Sequence, residues 1–479
     1  MNNLFLKKIE SSRILAQNHI DDEKKKLAEQ YFTPLRVSEI MADMFAKNTT
    51  KELTALDPCC GVGNLAAALL SRSNFYGEKT NITLIEKDTI LAKVAMENFK
   101  DFKNAKVIES DFFKHTHQPT FFDRIIVNPP YSKIPLDSEL SKSCQETLGY
   151  RDSNIYSAFV SHCLQLLSST GELVAIIPRS FCNGTTFKGF RKFILSNFYI
   201  HEIYLFESRR IFWDSSVLQE TVIIKISKLI SNKIKVSHER LNGEVNKKTI
   251  SRDRVFFEAD LQKFIHIPLA HGDDELLEKM AKFKDNLLSL GLRASTGKVV
   301  DFRCKELLSS KKTSASSHLL YQDSISAENR IIFDPENKDK QRFIKHQKGA
   351  QPVLIPIKNY IIIRRISFKE SKTRIVAAPL LAHLYKDEHI GIENHLNYIW
   401  GEHISFSSNA CLALFAYLST PTIDLYIRRF SGHTQINATD LNSLPTPNLA
   451  ELENFGSANL NSSLDEIKNL AELHFFTNN

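Results

Sequence analysis

The sequence of 479 residues predicts an α/β fold, with a doubly wound, Rossmann-like sheet in its first part and a mixed α+β unit in its second. Residues 53–70 read as a short apolar strand, a turn with two glycines and an Ala/Leu-rich helix, which together form the first β–α unit of such a sheet. Three further apolar strand patterns follow, and a polar residue stands after each. From about residue 230 alternating and charged segments appear. We therefore expect two domains, 1–230 and 231–479.

Upstream of the first strand, helical patterns flank a short aromatic and polar segment. Residues 4–30 are charged and loosely periodic, and a second helix is expected over 37–45. Between them stands Tyr31-Phe32-Thr33-Pro34. A threonine before a proline is typical of a helix start, where the hydroxyl caps the first turn. The alternative is that Thr33 and the helix amides face the carboxylate end of a ligand.

The turn after the first strand suits the close approach of a ligand. It reads Asp57-Pro58-Cys59-Cys60-Gly61-Val62-Gly63-Asn64, and its two glycines, Gly61 and Gly63, allow the backbone to lie against a bound molecule. The dinucleotide pattern GxGxxG is absent. Asp57 places a carboxylate at the strand end, where it would repel a pyrophosphate and attract a cationic ammonium or sulfonium group.

The next two strands end in groups that suit a nucleoside. Glu86 follows the apolar run 82–85 and is placed to accept hydrogen bonds from both hydroxyls of a ribose. A solvated strand-end acid would explain Glu86 if it stood alone. After the strand 105–108, Asp111 can accept from an adenine amino group while Phe112 packs on the ring.

The fourth strand, 125–127, runs into Asn128-Pro129-Pro130-Tyr131. Two successive prolines donate no backbone hydrogen bonds and fix their own φ, so the strand must end in a stiff, extended loop. The side-chain oxygen of Asn128 and the carbonyl of Pro129 can each accept one N–H of a planar amino group, and Tyr131 can stack on its plane. Without the upstream motifs, an ordinary proline turn would explain these residues equally well.

In this order, the motifs resemble those of S-adenosylmethionine-dependent amino-methyltransferases, above all the gamma-class (Taq-type) DNA adenine-N6 methyltransferases of restriction–modification systems. The resemblance implies a Rossmann-like S-adenosylmethionine methyltransferase sheet with a C-terminal mixed α+β target-recognition domain. The residues that it assigns to the cofactor are Tyr31, Thr33, Asp57, Gly61, Gly63, Glu86, Asp111 and Phe112. Those that it assigns to the target adenine are Asn128, Pro129 and Tyr131, with Phe212 as the second stacking aromatic and Trp213 as its competitor.

The family likeness also implies substrate and partners. S-adenosylmethionine would methylate the exocyclic amino group of an adenine flipped out of double-stranded DNA, within a short recognition sequence. We expect a monomer that protects DNA from a separately encoded cognate restriction endonuclease. Two alternatives stay open. An RNA base or a protein glutamine can use the same Asn-Pro-Pro-Tyr loop, and a non-catalytic DNA specificity subunit can retain the fold.

The second half carries two candidate DNA-contacting stretches. The segment 364–374 combines five basic residues, one acid and an aromatic, which suits a phosphate backbone, although a solvated charged hairpin explains it almost as well. The residues are Arg364, Arg365, Lys369, Lys372 and Arg374. The polar turn 431–437 resembles target-recognition domains, and its candidates are His433, Thr434, Gln435 and Asn437. Gln435 and Asn437 suit adenine edges, or they simply cap the turn.

Composition gives weaker indications. The net charge of +7 is compatible with a nucleic-acid partner. The seven cysteines form no CxxC pair and have no histidines at finger spacing, so we expect reduced thiols and no metal site. No signal peptide or apolar run of membrane-spanning length is apparent, and a cytoplasmic location is expected.

Overall fold

The computed structural model describes residues 2–19, 32–49, 51–115, 121–208, 220–333, 340–366, 373–430 and 435–477. The chain divides into two compact units, Met1–Val255 and Phe256–Asn479.

The first unit is built on one large sheet. Its strands are β1 Leu53–Asp57, β2 Thr80–Glu86, β3 Ala105–Glu109, β4 Phe122–Val127, β5 Leu167–Pro178, β6 Tyr199–Phe206, β7 Thr221–Ser227, β8 Lys233–Glu239 and β9 Val245–Ser251. They lie in the order β3-β2-β1-β4-β5-β7-β6-β8-β9. The first five are parallel, and β7 runs antiparallel to both β5 and β6. The predicted doubly wound sheet is confirmed.

Helices cover both faces of this sheet, as the near-continuous apolar runs of its central strands require. They are α1 Asn2–His19, α2 Leu35–Asp43, α3 Asn64–Phe75, α4 Thr89–Phe99, α5 Glu139–Leu148, α6 Ile155–Gln165, α7 Lys188–Asn197 and α8 Arg252–Val255. The buried side chains of α1, α2 and α3 share one core with the central strands. The helix expected over 37–45 is confirmed as α2.

The first unit extends beyond the predicted boundary at residue 230. Strand β8 pairs in parallel with β6, and β9 pairs with β8, so both belong to the large sheet. The boundary between the compact units therefore follows Val255. Alternation of apolar and polar residues marks a strand, but it does not say which sheet the strand joins.

A buried ion network anchors the chain that follows α2. Glu78 is 6% exposed, and its carboxylate binds Arg124 at 2.6 and 2.7 Å and Arg72 at 2.7 Å. The same two guanidinium groups donate to the carbonyls of Phe45 and Ala46 at 2.6 and 2.8 Å. Burial opposes ionisation of Glu78, but the hydrogen bonds and charges of the two arginines, with a backbone amide, lower its pKa to about 2.

The second unit contains two smaller sheets and a helical core. Its strands are β10 Leu292–Thr296, β11 Leu308–Ser309, β12 Ser316–Leu320, β13 Phe343–Lys345, β14 Leu354–Pro356, β15 Tyr360–Arg364, β16 Ala377–Leu380, β17 His389–Ile392 and β18 Leu396–Gly401. The sheet orders are β10-β18-β15-β16 and β11-β13-β12-β17-β14. The helices are α9 Asp273–Ala281, α10 Ser408–Leu418, α11 Pro421–Phe430, α12 Ala438–Asn442, α13 Leu449–Ala458 and α14 Leu464–Glu472, followed by a π-helical turn, Leu473–Thr477.

The mixed α+β character expected for this half is confirmed. Helix α9 ends at Ala281, a few residues before Asn286. The side chain of Asn286 accepts from the amides of Leu288 and Ser289 at 3.0 and 3.1 Å, so it closes a turn that competes with the helix.

All seven cysteines are free thiols. Within the described segments no single helix is long and apolar enough to cross a membrane, although α10 and α11, which meet at a 57° bend, pass the same test of length and composition as a pair.

We predict that Glu78→Gln lowers the free energy of unfolding by about 3–5 kcal/mol at neutral pH, because two buried guanidinium groups lose their counter-charge. The pKa of Glu78 is lower in the folded than in the unfolded chain. The loss should therefore be full above about pH 5 and shrink as the pH falls toward 2. Urea titrations at several pH values measure it. Glu97→Gln, which removes an exposed pair with Lys100, is the control and should change little; equal losses in both variants would contradict the prediction.

Candidate active site

A cavity of about 580 Å³ opens at the carboxyl ends of β1 to β4. Six of the residues predicted from the sequence line it: Gly61, Glu86, Asp111, Phe112, Asn128 and Pro129. In an open α/β sheet this edge is where ligands bind. The structure thus gathers four motifs that are far apart in the sequence.

The turn between β1 and α3 forms one wall. Gly61 and Gly63 have φ values of +56° and +98°, in the left-handed region that favours glycine. A Cβ on Gly63 would lie 2.3 Å from the ring of Phe99, so Gly63 serves the packing of α3 on α4. Gly61 faces the cavity instead, and a Cβ there would press on Phe32 at 3.2 Å.

Glu86 joins this turn to β2. Its carboxylate accepts the amide of Gly61 and the amide of Asp88, both at 2.8 Å. Burial raises the pKa of Glu86, and these amides partly offset the effect. Each oxygen retains further acceptor capacity on the cavity wall. This geometry suits the two hydroxyls of a ribose.

Asp57 lies at the end of β1 and is completely buried. Burial raises its pKa to about 8, although the amides of Cys59 and Ala66 favour the ionised form. Neither carboxylate oxygen completes a hydrogen bond within the described residues. Among the described residues, the Asp57 side chain is not part of the cavity wall.

Aromatic side chains close the opposite end of the cavity around Asp111. One oxygen of this carboxylate accepts the amide of Phe113 at 3.1 Å, and the other pairs with Lys87 at 2.9 Å. The ring of Phe112 stacks on that of Phe159, with centroids 5.0 Å apart and planes 14° apart. An acceptor beside stacked rings suits a planar, amino-bearing base.

The double-proline loop forms the remaining wall. The Asn128 Nδ2 donates to Thr33 Oγ1 at 2.9 Å, and its Oδ1 accepts from the hydroxyl of Tyr131 at 2.9 Å. The thiol of Cys59 donates to the Asn128 backbone carbonyl at 3.3 Å. Pro129 and its neighbour Pro130 both line the cavity.

Tyr131 occupies a different place from the expected stacking position. Its ring is 5% exposed and meets Tyr156 edge-on, and its hydroxyl also lies 3.4 Å from the carbonyl of Ile176. Among the described residues, the cavity wall passes from Pro130 to Ser132 without the Tyr131 ring. The loop turns this side chain toward the sheet, where apolar neighbours receive the ring. In this structure Tyr131 therefore acts on Asn128 through its hydroxyl.

The expected helix cap at Thr33 is also wrong. The N-cap of α2 is Pro34, and no side chain caps this end. The Thr33 hydroxyl accepts from Asn128 instead. Thr33 is buried and, among the described residues, does not contribute to the cavity wall, whereas its neighbour Phe32 does.

Several predicted residues lie outside the described residues. They are Tyr31, Phe212 with its competitor Trp213, Lys369, Lys372, His433 and Thr434.

The second unit places three of the predicted DNA contacts within protein structure. Arg374 is fully buried, which argues against a phosphate contact. The guanidinium of Arg364 donates to the carbonyls of Gln322 and Ile325 at 2.8 and 2.6 Å. Asn437 is the N-cap of α12, with a capping box, so the capping alternative describes it correctly.

The two other candidates lie side by side. Gln435 forms an antiparallel bridge with Ile366, and the Ile436 amide donates to the Arg365 carbonyl at 2.9 Å. The side chains of Arg365 and Gln435 are both half-buried.

Sequence reasoning missed several residues that line the cavity. Lys87, Phe113, Phe159 and His162 surround the Asp111 end, and Leu140 and Ser143 face the cavity from α5. Lys87 directly follows Glu86, which was predicted from the sequence, so its position in the chain could have indicated a place at the cavity. The aromatic and histidine residues of α6 lie in an apolar helical pattern that equally predicts a core helix.

The sequence matches the Eco57I restriction-modification methylase family over residues 7–212. It is 33% identical to the Type II methyltransferase M.BsuBI of Bacillus subtilis over 97% of this chain and 98% of that protein. It is 30% identical to the Type II methyltransferase M.PstI of Providencia stuartii, over 94% of this chain and 92% of the relative. Among solved structures, a Type IIL restriction-modification enzyme, MmeI, in complex with DNA, aligns at 12% identity and a TM-score of 0.45, over 98% of this chain and 73% of that one.

We predict that Asp57→Asn stabilises the ligand-free protein increasingly as the pH rises. The pKa of Asp57 is higher in the folded than in the unfolded chain, so the wild type binds an extra proton when folded and loses stability as the pH climbs toward about 8. The difference between variant and wild type should change by up to about 1.4 kcal/mol per pH unit over this range. Thermal unfolding between pH 5 and pH 9 measures it.

Asp123→Asn is the matched control. The hydrogen bonds of Lys51, Thr54 and Ser168 outweigh burial and lower the pKa of Asp123. This variant should therefore lose stability at neutral pH and approach the wild type as the pH falls. A difference between Asp57→Asn and wild type that stays constant from pH 5 to pH 9 would contradict the assignment.

Proposed function

Because this chain belongs to the Type II methyltransferases of restriction–modification systems, which use S-adenosylmethionine, we propose that it methylates the N6 amino group of an adenine in DNA. The observation that carries the proposal is the Asn128-Pro129 loop. It places a side-chain oxygen and a cavity-lining proline at the end of β4, on the wall of the same cavity as Glu86 and Asp111.

The cavity residues fit S-adenosylmethionine. Glu86 would accept from the ribose hydroxyls, Asp111 from the adenine amino group, and the backbone at Gly61 leaves room for close approach. The buried Asp57, whose oxygens complete no hydrogen bond among the described residues, suits the cationic end. When bound, the cofactor supplies an electrophilic methyl group on a sulfonium.

The loop residues would activate the amino group by hydrogen bonding. The lone pair of an adenine N6 is delocalised into the ring, which makes it a poor nucleophile. The Asn128 Oδ1 and the Pro129 carbonyl would each accept one N6 proton and localise the lone pair toward the methyl group. The nitrogen gains the methyl group and then releases a proton to solvent, so positioning and electrostatics supply most of the rate enhancement.

The Asn128 oxygen has the capacity for this role. A carbonyl oxygen has two acceptor sites, and the Tyr131 hydroxyl occupies one of them at 2.9 Å. Asn128 lines the cavity, and the target base would donate to this oxygen from there. Since a base stacked within a duplex cannot enter such a cavity, the adenine would be flipped out of the helix.

Sequence recognition would belong to the second unit, Phe256–Asn479. We assign this unit to target recognition. The candidate contacts are Arg365 and Gln435, because both are half-buried side chains on adjacent backbone segments. The protein would act as a monomer, and a separately encoded endonuclease of the same specificity would cleave unmodified DNA.

The test is a labelling experiment with the wild type and Asn128→Ala. Purified protein is incubated with labelled S-adenosylmethionine and, separately, with bacterial genomic DNA, RNA and protein, and the modified nucleosides are identified. We expect N6-methyladenine in DNA from the wild type and a rate at least about 100-fold lower in Asn128→Ala, with cofactor affinity retained. Asn197→Ala, an exposed asparagine of α7, is the matched control and should retain the wild-type rate.

Other outcomes would redirect the proposal. Label in RNA or in a protein glutamine instead of DNA would transfer the same loop chemistry to another substrate. Wild-type activity in Asn128→Ala would refute the role of the amide.

A further inference from the structure

We propose that Thr33 is a positioning residue that fixes the orientation of the catalytic amide of Asn128. This inference rests on the proposed adenine-N6 chemistry and deepens it. The cofactor-binding role that the sequence predicted for Thr33 stays a prediction beside it. The central contact is the hydrogen bond from Asn128 Nδ2 to Thr33 Oγ1, at 2.9 Å between residues 95 positions apart.

The proposed chemistry needs the Asn128 amide in one place. Its oxygen must face the amino group in order to accept a proton from it. An amide that turns away about its own bonds, or that presents its N–H donors, withdraws that acceptor.

Two hydroxyls hold the Asn128 amide, one at each end. Thr33 accepts from the nitrogen end, and Tyr131 donates to the oxygen end at 2.9 Å. Because a hydroxyl can both donate and accept, these contacts restrain the position of the amide group and do not themselves distinguish its oxygen from its nitrogen. Loss of the Thr33 hydroxyl should therefore loosen the amide and populate positions in which its oxygen does not face the amino group.

Thr33 is itself firmly placed. It is 4% exposed and is separated only by Pro34 from α2, whose side chains Val37 and Met41 are buried. Beyond the other end of α2, the carbonyls of Phe45 and Ala46 are bound by the buried arginines of the Glu78 network. A hydroxyl on so well anchored a segment can hold a partner within the narrow tolerance that catalysis demands.

Thr33 reaches the site through Asn128 and not as part of the described cavity wall. Among the described residues, Phe32 lines the cavity and Thr33 does not. No side chain caps the first turn of α2, so the Thr33 hydroxyl is not engaged as a helix cap. Its contact with Asn128 links the start of α2 to the end of β4.

The experiment compares Thr33→Val, which removes the hydroxyl at nearly constant volume, with Thr33→Ser, which keeps it. We expect kcat to fall about 10-fold in Thr33→Val, the effect of one lost hydrogen bond, and to recover largely in Thr33→Ser. The KM for DNA and the dissociation constant for S-adenosylmethionine, measured by calorimetry, should stay within about twofold of wild type. If Thr33→Val folds poorly, Thr33→Ala removes the same hydroxyl without added bulk and takes its place.

Ser38→Ala is the control variant. The Ser38 hydroxyl donates to the Pro34 carbonyl at 3.2 Å, so this variant perturbs the same helix without touching Asn128. It should leave kcat unchanged. Equal losses of kcat in Thr33→Val and Ser38→Ala, accompanied by lower melting temperatures, would overturn the inference in favour of a purely structural role.

A double-mutant comparison separates the inference from the proposed function. If Thr33 acts through Asn128, Thr33→Val should cause no further loss in an Asn128→Ala background, measured at high enzyme concentration. Independent, multiplying losses would overturn the inference, as would a weaker cofactor affinity at unchanged kcat. Wild-type activity in Asn128→Ala alone would instead refute the proposed function.

Discussion

The constraint on which the active site depends is that parallel strands bring their carboxyl ends to one edge of the sheet. Because β3, β2, β1 and β4 are neighbours in space, the residues that follow them line one cavity. Glu86 thereby accepts the amide of Gly61 from the turn that follows the adjacent strand β1, and the Cys59 thiol donates to the Asn128 carbonyl. Each motif alone is a weak indication of function, but the strand order brings the four motifs together in a single site. For this reason their order along the chain was a strong indication of that site.

The acidic groups around this edge differ in how far their charge is compensated. Glu86 is held by two amides, and Asp111 by an amide and a lysine, so both are arranged before any ligand arrives. Asp57 is buried with its oxygens unbonded among the described residues, and its raised pKa reports the cost of that burial. An ionisable group that is buried without compensation lowers the stability of the ligand-free fold. A positively charged ligand can offset this loss, and such groups are often found at functional sites.

The sequence predicted the parts of the fold and site that depend on local chemistry. Apolar runs gave the strands, and paired glycines and prolines gave the turns, because φ restrictions act within a few residues. The wrong expectations share another cause. The burial of Tyr131 and Arg374 and the partner of Thr33 are set by residues distant in sequence, which no local pattern reports. For the same reason the domain boundary lies after Val255 and not at residue 230, because the residue pattern of β8 alone did not indicate that this strand pairs with β6.

The position of the Asn128 amide, to which we assign the catalytic role, therefore depends on elements that contribute no chemistry of their own. Two prolines fix the backbone at Asn128, but they leave the side chain free to turn about its own bonds. Hydroxyls from Thr33 and Tyr131 supply the missing restraint, and the first of these depends on α2, whose following carbonyls are held by a buried ion network. A buried hydroxyl restrains such an amide without adding a charge to the site. Under the proposed chemistry, a residue outside the cavity wall would in this way affect the rate of a reaction within the cavity.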